Sequence, residues 1–136
     1  MRTANLKTEK FAALLEKGRA YHTYDERFDA LIFMVVPPDT PTVVHYVDAN
    51  IGVLYEPVNS EIVGIQIEAF KKAFLPRHAE LEKVWRMTEV IPQLADYGEL
   101  TVTVETQRPA ITREILKISQ PVIRKTLPNF WVPVPA

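Results

Sequence analysis

The spacing of apolar residues changes period several times along this chain. Over residues 6–17, Leu6, Phe11, Leu14 and Leu15 recur at helix-like intervals, and Gly18 stands where a left-handed residue would close the helix. From residue 20 the period falls to two. Residues 20–24 and 28–36 read as strands joined through Asp25, Glu26 and Arg27. In the second strand both alternating sets are apolar: Phe28, Ala30, Ile32, Met34 and Val36 on one side, Leu31, Phe33 and Val35 on the other. A strand apolar on both sides is expected to be covered on both.

Pro37, Pro38, Asp39, Thr40 and Pro41 form a stiff turn, because proline fixes φ and donates nothing to a ladder. Residues 42–47 and 51–56 follow as a hairpin around Asp48, Ala49 and Asn50, with Asn50 suited to a left-handed position. A second hairpin turns through Pro57, Val58, Asn59 and Ser60 into a strand over 61–68. Its register has two solutions. A four-residue loop groups Val63, Ile65 and Ile67 with Val44, Tyr46 and Leu54; a three-residue loop groups them with Val43, His45, Val47, Val53 and Tyr55.

Beyond the strands the helical period returns. Residues 69–75 read as a short helical turn stopped before Pro76. A longer amphipathic helix is expected over 77–90, with Leu81, Val84, Trp85, Thr88 and Ile91 on one face and Pro92 ending it. Residues 100–106 alternate with β-branched side chains and read as a further strand or as the first strand of a partner interaction. Pro109 then suits the first turn of a helix striped by Ile111, Ile115, Ile118 and Val122, which Pro121 should kink or break. The final residues, 127–136, form an extended apolar tail carrying Phe130 and Trp131, docked either on the chain's own core or on a second subunit.

The expected fold class is therefore α+β: an antiparallel β-meander of four to five strands packed with helices, in a single domain over 1–136. Residues 20–68 supply the sheet, 69–127 are mainly helical and 128–136 are the tail. Composition agrees, with 47% hydrophobic and 24% charged residues. No apolar run approaches a membrane span, no secretory signal is visible, and cysteine is absent, which together predict a cytoplasmic protein without disulfides. The net charge of −1 gives the whole molecule no reason to seek nucleic acid. Locally, the segment from Gln107 carries five bases (Arg108, Arg113, Lys117, Arg124 and Lys125) against Glu114, a surplus of four. The remainder has 11 bases and 16 acids, which suits a solvated helix face complementary to the body or, alternatively, a basic surface for a polyanion.

Tyr24, Asp25, Asp29, Ala30 and Leu31 in a Tyr-Asp-x-x-x-Asp-Ala-Leu arrangement, Tyr55-Glu56-Pro57 at the hairpin, and Val63-Gly64-Ile65-Gln66-Ile67 recur in order over residues 24–70. That third of the chain resembles a short bacterial family known only as a domain of unknown function. The resemblance implies a compact β-meander followed by a helix, and no activity. The chain departs from the family pattern in two places. Gln66 stands where the family usually has Glu, so a role for that carboxylate does not carry over, and Ser60 stands where the hairpin often has Gly.

The four glycines, Gly18, Gly52, Gly64 and Gly98, are too scattered to cradle a phosphate, and no zinc-protease helix, nucleophile elbow or calcium loop is present. No catalytic set, resident metal or cofactor is expected. The candidate ligand-binding residues are His22, Asp25, Asp29 and His45, whose imidazoles and carboxylates suit a divalent metal or acid–base chemistry. The same residues also suit structural work: Asp25 and Asp29 in side-chain-capped turns, His45 among valines on a strand face. His78 beside Arg77 suits a helix cap, and Trp85 suits the core. Phe130 and Trp131 are the candidate interface residues, because a sheet apolar on both faces plus an apolar tail exceeds what a short chain covers alone. The resulting expectation is a non-enzymatic accessory or regulatory domain acting through protein contacts as a homodimer. The alternative is a small-molecule or divalent-metal-binding protein using the His/Asp pocket.

Overall fold

The computed structural model describes residues 6–94 and 99–134, and the side chains within 6–86 and 109–134. Its first helix, α1 (Glu9–Glu16), buries Phe11 and Leu15, one turn apart. Gly18 ends it at φ +77°, with Gly18 N–H donating to Leu15 O at 3.0 Å and Arg19 N–H to Leu14 O at 3.1 Å. This is a Schellman closure, and glycine supplies the left-handed residue without a Cβ penalty. The helix starts later than the spacing predicts, because Lys7 is extended and pairs beside Glu61: Lys7 N–H donates to Ser60 O and Ile62 N–H to Lys7 O.

Five antiparallel strands follow: β1 (Tyr21–Asp25), β2 (Ala30–Met34), β3 (Val43–Tyr46), β4 (Ile51–Tyr55) and β5 (Ile62–Glu68). They lie in the order β1-β2-β5-β4-β3, so β1–β2 is one hairpin and β3–β4–β5 a meander whose last strand returns beside β2. The α+β class with an antiparallel sheet is thus the observed fold. After β5 come a π-helical turn (Phe70–Phe74), a 3-10 turn (Leu75–Arg77), α2 (Ala79–Leu94) and α3 (Glu99–Thr126), which packs against α2. Among the described residues no helix is long and apolar enough to cross a membrane.

The four-residue register of the second hairpin occurs next to the loop, and a bulge beyond it restores the face grouping of the three-residue alternative. Next to the four-residue loop, Glu56 N–H donates to Glu61 O and Tyr55 faces Ile62. Val63 is then the extra residue, so Leu54 faces Gly64 and Val53 faces Ile65; this gives the face grouping of the three-residue alternative, with the pairs two residues further along β5. Ser60, where the resembled family often carries Gly, sits at φ +62°, a conformation glycine adopts without strain. The first hairpin is built differently from its expectation. Asn50 is not left-handed; Asp48 Oδ1 instead accepts from Asn50 N–H at 2.8 Å and Ile51 N–H at 2.6 Å, an Asx-type turn.

Residues 100–106 are helical, not a strand. β-branched residues cost only a few tenths of a kcal/mol each in a helix, so ~28 residues of cooperative propagation override the local alternation. Two prolines, Pro92 and Pro109, sit elsewhere in their helices than the sequence suggests, and Pro121 does not break its helix. Pro92 lies within α2, Pro109 is interior to α3 rather than in its first turn, and α3 runs through Pro121 to Thr126. Pro109 and Pro121 both face solvent, where water can satisfy the carbonyl that each leaves without a helical donor.

Each covering element meets the same face of the sheet. Phe11 of α1 packs on Phe33 at 6.0 Å between ring centroids, Trp85 of α2 on Tyr24 at 5.7 Å, and Phe70 on Tyr24 at 6.0 Å. Thr112 of α3 bonds His22 on that face. The tail folds back as well: Phe130 is buried against Phe11 at 6.0 Å, and Val132 N–H donates to Gln120 Oε1 at 2.7 Å. The opposite face is only partly covered. Its upper row, Tyr21–Met34–Gly64–Leu54–Val44, has Met34 and Leu54 buried, leaning together over Gly64. Below it, Thr23 and Tyr46 are exposed, while Ile32, Gln66 and Glu68 are half-buried. The expectation that both faces are covered therefore holds for the helix-bearing face; on this second face Met34, Leu54 and the small Ala30 are buried, and the rest is open or half-buried.

Candidate functional site

The four sequence-selected residues do not converge. His22 pairs with Phe33, Phe33 with Ile65, Ile65 with Val53 and Val53 with His45, so the two imidazoles end one transverse row across all five strands. Four interstrand steps separate their backbones by about 19 Å, too far for one metal ion or one proton relay. His22 lies on the helix-covered face, stacked on Phe33 at 5.1 Å, with its Nε2 and Thr112 Oγ1 sharing a hydrogen bond of 3.0 Å. His45 is half-buried at the other edge, and its Nε2 has no hydrogen-bond partner among the described residues.

Asp25 and Asp29 both serve the chain's own backbone. Asp25 Oδ1 accepts from Arg27 N–H at 2.9 Å and Phe28 N–H at 3.3 Å, closing the β1–β2 turn. Asp29 sits at φ +50°, and its carboxylate accepts from Tyr24 Oη at 2.6 Å, Lys71 N–H at 2.8 Å and Lys72 N–H at 3.1 Å. It thereby fastens the β1–β2 hairpin to the π-helical turn, whose leading N–H groups it satisfies. Burial works to raise the Asp29 pKa, but the hydrogen bonds from Tyr24, Lys71 and Lys72 and the Lys71 charge hold it below the ordinary carboxylate value. Among the described residues no group of three or more His, Asp or Glu side chains is arranged to hold a metal ion.

His78 Nδ1 lies 2.9 Å from Phe74 O, where it ends the helical turns, and Trp85 is a core residue against Phe70 at 4.8 Å. Of the two candidate interface residues, Phe130 belongs to the chain's own core, whereas Trp131 is 56% exposed. Burial of Phe130 and Val132 against this chain removes the tail's need for a second subunit at those positions.

The concave feature of the partly covered face lies elsewhere. A groove of about 380 Å³ is lined by Asp25, Phe28, Ala30, Ile32, Gln66 and Glu68. Pairing explains it: Asp25 faces Ala30 and Ala30 faces Glu68, so a small side chain stands between two carboxylates. Tyr46 Oη and Gln66 Nε2 both donate to Glu68 Oε2, and the Glu68 carboxylate raises the Tyr46 pKa with help from burial. Sequence reasoning missed this groove because it depends on the β2–β5 pairing, whose partners are far apart in the chain. Only the resemblance touched it, through Gln66.

At the other side of the same sheet, β3 is an edge strand whose Val43 and Tyr46 are 41% and 47% exposed. Val47 N–H donates inward to Ile51 O, so by alternation the backbone groups of Val44 and Tyr46 point away from β4. The strand contains no charge, proline or bulge of its own. No family model, curated protein or solved structure matches the chain.

Proposed function

We propose that the chain is a non-enzymatic accessory or regulatory domain that acts through protein contacts, as a homodimer in the cytoplasm. The observation that carries this reading is the unprotected β3 edge. Natural edge strands are blunted by charges, prolines or bulges, and an uncharged edge with exposed apolar side chains favours pairing with another strand. An antiparallel second β3 is self-complementary there, setting Val44 opposite Tyr46, whose outward backbone groups then pair, and His45 opposite its own copy about a two-fold axis. The resemblance over residues 24–70 adds a fold expectation to this reading and no activity.

Light scattering at tens of micromolar should return twice the chain mass. Val43→Lys places a charge on the half-exposed edge without emptying the core, and it should return the single-chain mass with the far-ultraviolet spectrum unchanged. A wild-type chain that is monomeric at these concentrations, or a Val43→Lys chain that stays dimeric, refutes the edge as the dimer contact.

A further inference from the structure

We infer that the groove over Ala30 receives a cationic side chain, arginine or lysine, from a basic segment of a protein partner. The inference rests on the protein-contact reading above but uses a different surface from the dimer edge. Three observations select this occupant over the others.

The first is spacing. Asp25, Ala30 and Glu68 form one row across three strands, so the backbones of the two acids are two interstrand steps, about 10 Å, apart. A divalent ion takes six or more oxygens at about 2.0–2.6 Å, and among the described residues no third acid or histidine joins these two carboxylates. A long side chain with an apolar stem and a charged head fits, since Ala30 and Ile32 make an apolar floor and the carboxylates flank it.

The second is orientation. One oxygen of each carboxylate is committed within the chain: Asp25 Oδ1 to Arg27 and Phe28 N–H, and Glu68 Oε2 to Tyr46 and Gln66. These bonds fix both carboxylates in place, while Asp25 Oδ2 and Glu68 Oε1 have no partner among the described residues. Arg27, the neighbouring base, lies 5.5 Å from the Phe28 ring centroid and makes no ion pair among the described residues. Phe28, 68% exposed at the groove wall, offers an incoming cation the same kind of ring face.

The third is sign. The groove is lined by two acids, one amide and no base, so charge complementarity calls for a positive occupant. A second copy laid face to face would bring the Asp25–Glu68 row against its own duplicate or against the apolar Met34–Leu54 row. Both arrangements set a carboxylate against an unfavourable neighbour.

The test is a heteronuclear NMR titration of the full chain with acetyl-Gly-Arg-Gly-amide, beside the same peptide carrying citrulline, which keeps the shape and loses the charge. The arginine peptide should shift the amides of Ala30, Ile32, Gln66 and Glu68 with millimolar affinity that weakens with added salt. Citrulline, Glu68→Gln and the slot-filling Ala30→Leu should each weaken binding tenfold or more, with Ala30→Leu doing so without removing a charge. Equal binding of the citrulline peptide, shifts spread over the acidic surface, or no shift at tens of millimolar overturns the inference. The dimer is read separately by light scattering. A dimeric chain that ignores the arginine peptide sinks this inference alone, and a monomeric chain that binds it sinks the dimer alone.

Discussion

Replacing Asp29 tests whether its carboxylate is structural or is held for a ligand. Asp29→Ala removes three accepted hydrogen bonds at once, from Tyr24 Oη, Lys71 N–H and Lys72 N–H. Bonds to an ionised acceptor contribute about 1.5–3 kcal/mol each when buried, but the two lysine amides are exposed and can return to water. About 0.5–1 kcal/mol per bond is the appropriate scale there. Alanine must also hold φ +50°, a conformation that costs an L-residue without a local polar side chain about 1 kcal/mol more. With the Tyr24 bond on the same scale, three bonds and the backbone cost predict a loss of about 2.5–4 kcal/mol, read as a lower urea midpoint with an unchanged slope. Asp29→Asn keeps one acceptor oxygen and tolerates the left-handed conformation, so it should lose only about 1 kcal/mol. In the Asp29→Ala background, Tyr24→Phe should cost less than it does in the wild-type chain. Groups kept for binding at the expense of stability behave in the opposite way, and their removal stabilises. An Asp29→Ala chain within ~0.5 kcal/mol of wild type, or above it, would falsify the structural account.

The remaining expectations concern pH and backbone geometry. The Lys10 ammonium, 2.7 Å from Glu56, overcomes burial and, with Asn59, holds the Glu56 carboxyl below its ordinary value, as Tyr24, Lys71 and Lys72 do for Asp29. Depressed folded values contribute stability that is present above the unfolded pKa values of about 4 and lost as pH falls through the folded ones. Urea midpoints should therefore be flat near neutrality and fall in acid, and the fall should shrink in Glu56→Gln. A raised Tyr46 gives the mirror image: its contribution is complete below about pH 10 and lost as pH rises through the folded value, a limb that Tyr46→Phe should abolish. At Gly64 an added Cβ would stand 2.5 Å from Phe33 O, a backbone atom that moves only if β2 moves. Gly64→Ala should lose about 1–3 kcal/mol and roughly 5 °C in Tm by calorimetry, and unchanged melting would contradict the close β2–β5 approach. At Ser60, φ +62° makes Gly the fitting residue: Ser60→Gly should match or exceed wild type by up to ~0.5 kcal/mol, whereas Ser60→Val should lose more than ~1 kcal/mol in the same unfolding assay.

Local signals in the sequence located most of the elements. Gly18 ends α1 because a left-handed closure needs it, and two-residue alternation marks the strands within a residue or two of their observed bounds. Legibility stopped where distant parts meet. The bulge at Val63 shifts the register midway along a ladder, so neither of two uniform registers could be right throughout. The alternation over 100–106 is a strand signal only in isolation, and within a long helix its cost is small. The His/Asp constellation looked plausible because His22, Asp25 and Asp29 are close in sequence. Yet residues three apart on a strand point to opposite faces, and His45 lies at the far edge. The groove over Ala30 was invisible for the converse reason: its two carboxylates are 43 residues apart, from Asp25 to Glu68, and only strand order makes them neighbours.

The placement of β5 beside β2 gives the sheet a single seam. On one side lies a hairpin and on the other a meander, each wired by short links, and the seam joins residues 30 apart (Met34 to Gly64) to 38 apart (Ala30 to Glu68). Two pre-formed halves that zip along one central line should show folding limited by that late, entropically expensive closure. Once zipped, neither half can leave without opening the middle of the sheet, and the molecule should therefore yield as one cooperative unit.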